Sequence, residues 1–122
     1  MRSGEKGFTL IELLVVLAII ATLTTIVAPR YFQQTERAKE VVLKHNLKTL
    51  RLTIDQFRRD RLSSPEKLDE LVSDGYLRQL PIDPFTQKRT TWEVKTDDVG
   101  QIIDIHSGST KKSLSGETYA SW

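Results

Sequence analysis

At 122 residues the chain has room for one small domain beside any membrane segment, and 18 Lys and Arg against 16 Asp and Glu leave a formal charge of only +2. It contains no Cys, which excludes disulfide stapling and thiolate metal sites but leaves the compartment open. The charge is polarised: residues 30–61 hold nine basic and four acidic groups, residues 62–122 seven basic and ten acidic.

The first predicted element is an apolar helix. Phe8 to Ala28 is 21 residues, a rise of about 31 Å, which matches a hydrocarbon core of about 30 Å. Arg2 and Lys6 precede it and favour a cytoplasmic N-terminus, although Glu5 and the distal Arg30 dilute the bias. A secretory signal peptide would have this length. Against it, the apolar run continues through Ile26-Val27-Ala28 with no Ala-x-Ala stop, and a basic amphipathic stretch follows directly. A plain anchor explains the length but not Glu12, a carboxylate placed where desolvation makes charge costly. Pro29 falls at the membrane exit and predicts a kink or local opening. Thr22, Thr24 and Thr25, just before it, can return hydroxyl bonds to backbone carbonyls.

The run Gly7-Phe8-Thr9-Leu10-Ile11-Glu12 resembles the processing motif of type IV pilins and of the pseudopilins of type II secretion. The resemblance implies that residues 1–7 are a leader cut after Gly7 by a prepilin peptidase and that Phe8 is then N-methylated. It implies that Glu12 is the family's acidic assembly residue and Pro29 its helix-breaking proline. In a bundle of identical subunits Glu12 could pair with the N-terminal amine of Phe8 on a neighbour. Such a pair rewards one axial register and penalises others. Gly7 and Phe8 are thus the processing residues, and Phe8, Glu12 and Pro29 the assembly residues; no catalytic residue is expected.

Beyond Pro29, Leu43, Leu47, Leu50, Ile54 and Phe57 recur at helical spacing and form one apolar stripe, which Ala38 extends. The other side carries Lys44, Lys48, Arg51, Arg58 and Arg59. These basic groups read as a solvated face, or one matched to an acidic patch on the next subunit. Aromatic residues are sparse there and Asp55 and Asp60 interrupt the run, so nucleic acid is not the expected partner. The helix is predicted from about residue 9 to residue 60, ending at Leu62-Ser63-Ser64-Pro65. Ser64 is predicted to cap a short second helix with Pro65 at its first position, Leu68 and Leu71 facing the core and Gly75 as its stop. In Leu80-Pro81-Ile82-Asp83-Pro84-Phe85, an irregular turn, the apolar residues plug the sheet edge and Asp83 ties backbone N–H groups. Thr91–Val94 and Gln101–Ile105 read as antiparallel strands joined through Asp97-Asp98-Val99-Gly100. His106 to Thr118 reads as loop, with Tyr119 and Trp122 as terminal anchors.

Phe57-Arg58-Arg59-Asp60, Tyr76-Leu77, Leu80 to Phe85, Asp104-Ile105-His106-Ser107-Gly108 and Trp122 resemble the major pseudopilin of type II secretion, with Phe85 and Thr86 in place of that family's Trp and Gly. That resemblance implies a structural Ca²⁺ held by an Asp soon after the Ser-x-Gly and by another just before the final Trp. Here those places hold Ser109-Thr110-Lys111-Lys112 and Thr118. Calcium needs about six to eight oxygen ligands with anionic help, which two adjacent lysines oppose. Asp97, Asp98 and Asp104 remain as carboxylates, but the expectation is no cofactor, with Tyr119 and Trp122 packing directly and Ser and Thr hydrogen bonds closing the loop. His45 and His106 lack any catalytic framing, and no enzyme is expected.

The expected fold is α+β and pilin-like: a long N-terminal helix, membrane-spanning in its first half, packed against a small antiparallel sheet head. Its parts are a leader (1–7), a transmembrane assembly helix (8–29), an amphipathic continuation (30–61) and a C-terminal α+β head (62–122). The expected function is a homo-oligomeric pseudopilus subunit of type II secretion. Its partners are prepilin peptidase, minor pseudopilins or pilins, an inner-membrane assembly platform and, before assembly, membrane lipid. It lies single-pass in the bacterial inner membrane with its head in the periplasm. The alternatives are a type IV pilin (major, minor or competence-type) and a monomeric membrane-anchored binding module.

Overall fold

The computed structural model describes residues 7–122; the remainder of the expected leader, with Arg2, Glu5 and Lys6, lies outside the described residues. Helix α1 covers Leu10–Arg61, and the chain divides into two compact units, one ending at Thr35 and the other running from Glu36 to Trp122.

In the first unit every apolar side chain of the span faces outward; Phe8 is 91 % exposed and none of the apolar window is buried within the chain. The helix is long and apolar enough to cross a membrane. As expected, the hydroxyls of Thr22, Thr24 and Thr25 donate to the carbonyls of Ala18, Ile20 and Ala21 at 2.8, 2.7 and 2.9 Å. The expected local opening at Pro29 does not occur, and α1 stays helical through it. Proline removes one backbone donor, and the helical assignment continues on both sides of that single loss.

In the second unit the predicted stripe is the core: Leu43, Leu47, Leu50, Ile54 and Phe57 are all buried, with Leu71, Trp92, Ile102, Ile105 and Tyr119 packed among them. Ala38 does not extend it and is exposed. The helix ends where Leu62 takes φ +58°, the left-handed position that closes many helices and that a side chain adopts only at a cost. The second helix, α2 (Asp69–Ser73), begins later than expected and has no side-chain cap. Ser64 is instead buried and accepts the Arg58 Nε–H at 2.8 Å, while the Pro65 carbonyl accepts the Ile102 N–H at 2.8 Å. The residues meant to open a helix therefore dock on the sheet. Leu71 is buried, Leu68 packs on the core and Gly75, at φ +85°, ends the element as predicted.

Strands β1 (Glu93–Thr96) and β2 (Ile102–His106) form the antiparallel pair, each shifted slightly C-terminal to its predicted position. The register runs Glu93 to His106, Val94 to Ile105 and Lys95 to Asp104, then jumps to Thr96 and Ile102. Ile103 is the extra residue of that bulge. It points outward, which lets Ile102 and Ile105, three apart and not two, both face the core. In the connection, the Asp97 carboxylate accepts the Val99 and Gln101 N–H groups at 3.0 and 2.8 Å.

The irregular turn is organised as expected by Asp83, which is fully buried and accepts the Phe85 N–H at 2.9 Å and the Ser107 hydroxyl at 2.5 Å. Of its apolar residues, Leu80 and Phe85 pack against the core and Ile82 does not. Phe85 stacks on Tyr119 (centroids 3.9 Å apart), while Ile82 is exposed. Gly108 lies against the Thr91 carbonyl, so that a Cβ would drive into that oxygen. Gly108→Ala is therefore expected to destabilise the head by about 2 kcal/mol or more, read as a lowered melting temperature. An unchanged melt would mean that the Thr91 strand entry yields freely.

Candidate assembly and processing site

Gly7 and Phe8 precede α1 as exposed, non-helical backbone, the form in which a peptide bond is open to a processing enzyme. Thr9 is the N-cap. Its hydroxyl accepts the Glu12 N–H at 3.1 Å, and the Glu12 Oε2 accepts the Thr9 N–H at 3.3 Å. This is a capping box: two otherwise unpaired donors at the helix start are satisfied reciprocally. The carboxylate also meets the positive end of the helix dipole. Glu12 thus has a local reason for its position. The Thr-x-x-Glu spacing, legible in the sequence, was the signal for Thr9.

The structure brings Phe8, Thr9 and Glu12 together at one helix end. Pro29 is not part of that cluster; it stands seventeen residues further on, about 25 Å along the helix.

The basic side of the second half of α1 is less free than its sequence suggested. Arg51 donates from Nε to Asp104 at 3.1 Å and from Nη2 to the main-chain oxygens of Ile105 and Trp122 at 2.8 and 2.6 Å. The Lys44 ammonium lies 4.8 Å from the centre of the Trp122 ring. With Arg58 on Ser64, three of the five basic residues expected on the solvated side hold the head instead. Burial pushes the Asp104 carboxyl up, but the Ile105 N–H, Arg51 and His106 outweigh it and bring the group below its ordinary value. His106 sits 3.4 Å from Asp104 within this network, and His45 is exposed on α1. The Phe57-x-x-Asp60 stretch also has a structural use: the Tyr76 ring lies 5.3 Å from Phe57 while its hydroxyl donates to Asp60 at 2.9 Å.

A capped, outward-facing apolar helix feeding the core of a small two-stranded head is the architecture of a pilin-like chain. Residues 2–28 match the model of the prokaryotic N-terminal methylation motif. The type II secretion system core protein G of Pseudomonas aeruginosa is 32 % identical over 100 residues, covering 69 % of this chain and 70 % of that protein. The protein of the same name from Xanthomonas campestris pv. campestris is 29 % identical over 127 residues, covering 98 % and 89 %. That of Escherichia coli is 29 % identical over 103 residues, covering 70 % and 71 %. No solved structure gives a significant match. The chain belongs to the type II secretion core protein G family, the pseudopilins.

Proposed function

We propose that this chain is a structural subunit of the type II secretion pseudopilus, cut after Gly7 by a prepilin peptidase and N-methylated on Phe8. Before assembly it spans the bacterial inner membrane once, with its head in the periplasm. An inner-membrane platform then draws it into a filament with further copies and minor pseudopilins. Its role is mechanical, and the peptide bond after Gly7 is the substrate of another enzyme.

The observation that carries this reading is the start of α1, where Gly7 and Phe8 are exposed, Glu12 is held in the capping box and an uncovered apolar surface follows. An apolar helix with no covering partner among the described residues needs lipid or other subunits around it. Cleavage would turn the Phe8 nitrogen into an amine, and Glu12 of a neighbour is the carboxylate suited to receive it.

Mass spectrometry of protein extracted from membranes tests the proposal. The expected mass lacks residues 1–7 and carries one added methyl, located on Phe8 by fragmentation. A chain that keeps its leader in cells with an active prepilin peptidase would refute it.

A further inference from the structure

Calcium in the C-terminal loop is what the likeness to major pseudopilins implies, and the residues present do not fit it. Among the described residues no group of three His, Cys, Asp or Glu side chains is gathered to hold a metal. Lys111 and Lys112 stand exposed where a divalent ion would need anionic oxygen. The loop instead folds on itself as a tight reversal. The Ser113 N–H donates to the Glu117 carbonyl at 2.6 Å and the Tyr119 N–H to the Lys111 carbonyl at 3.1 Å. Lys112 and Thr118 pair across it as an isolated antiparallel bridge, and Gly116, at φ +93°, makes the turn.

A carboxylate from α1 reaches this loop. The Glu40 Oε1 accepts the Leu114 N–H at 2.9 Å and the Tyr119 hydroxyl at 2.8 Å. Those donors lie on either side of the Gly116 turn, so a single side chain holds both arms of the loop to the helix. Tyr119 is 1 % exposed, stacks on Phe85 and meets the edge of Trp122. Fastening its hydroxyl therefore also fixes the aromatic cluster that closes the head. Burial, together with the bond to Glu40, raises the phenol well above its ordinary value and keeps it a donor. Hydrogen bonds to an ionised acceptor are the strong ones, and here one carboxylate collects two.

We propose that Glu40 is the latch of the C-terminal loop and takes the place of a bound cation, so that the head closes without calcium. This assignment stands apart from the filament reading, since it concerns only how the head is held shut.

The test is thermal melting of the full chain in detergent, followed by tryptophan fluorescence, in millimolar calcium and in excess EDTA. The wild-type chain is expected to melt at the same temperature in both. Terbium, used as a luminescent stand-in for calcium beside Tyr119 and Trp122, is expected to give no saturable emission. Glu40→Ala is expected to lower Tm by about 5–10 °C, equally in both solutions. Tyr119→Phe keeps the ring and removes one donor; it should lower Tm by about 4 °C, again equally. A wild-type Tm that drops by several degrees in EDTA, or saturable terbium emission displaced by calcium, overturns the proposal. So does a Glu40→Ala chain that melts like the wild type. Should Glu40→Ala not fold at all, Tyr119→Phe carries the same comparison.

Discussion

Replacing Glu12 with Ala or with Gln is expected to abolish filament formation to the same extent, with membrane insertion unchanged. The two variants separate its place in the capping box from the assembly role proposed for it. Glutamine can still accept the Thr9 N–H and so keeps the capping box, whereas alanine loses it. Loss of a cap costs about 1 kcal/mol at a helix end, too little to abolish a polymer. Removing one partner of a desolvated charge pair costs about 3–5 kcal/mol. Each 1.4 kcal/mol is about a factor of ten, so the constant for adding a subunit should fall by two orders of magnitude or more. Neither variant adds charge to the span, so insertion should be at least as favourable as in the wild type. Electron microscopy of sheared filaments, beside carbonate extraction of membranes, reads both quantities. Filaments from Glu12→Gln at wild-type levels would show that capping, and not charge, is what assembly needs from this residue.

The parts of the fold that sequence made legible are those governed by local periodicity. The stripe from Leu43 to Phe57 repeats every three or four residues, and all five of its members are buried. Asp97 to Gly100 reads as a turn on composition alone and is one. What sequence could not show was contact between distant residues. Nothing near Arg51 points to Asp104, fifty-three residues away, and its neighbours Lys44 and Lys48 suggest a solvated face. Glu40 is hidden in the same way, because its two donors are more than seventy residues further on. Ser64-Pro65 misled for a different reason. The pair is a good helix opening locally, but the sheet claims the Pro65 carbonyl and Arg58 claims the serine hydroxyl. At the candidate site the balance is reversed: Gly7, Phe8 and Glu12 fall within six consecutive residues, and the capped helix start follows from the Thr-x-x-Glu spacing.

Arg51→Ala is expected to be the most damaging single change on the surface of the head, lowering stability by about 2–3 kcal/mol and Tm by about 10 °C or more. The ion pair with Asp104 is not the main reason. Its partners are 36 % and 39 % exposed, and such pairs contribute little in water. The larger loss is the two bonds to the main-chain oxygens of Ile105 and Trp122, which tie β2 and the Trp122 segment to α1 through one planar group. Arg51→Lys should recover only a fraction, since a single ammonium cannot serve three acceptors spread across a guanidinium fork. The pH dependence gives a second readout. Asp104 is held below its ordinary value near 3.8, so its contribution is present above that pH and is lost as pH falls through the lowered value. In the wild-type chain stability should therefore decline from about pH 4 downward, and removing Arg51 should make this group's share of the decline shallower. The Ile105 N–H and His106 still lower the carboxyl in the variant, so the slope is reduced and not abolished. Urea unfolding of the full chain in detergent between pH 3 and 7 measures both effects. Equal stability of wild type and Arg51→Ala at pH 7 would mean that the three acceptors find other donors when the guanidinium is gone.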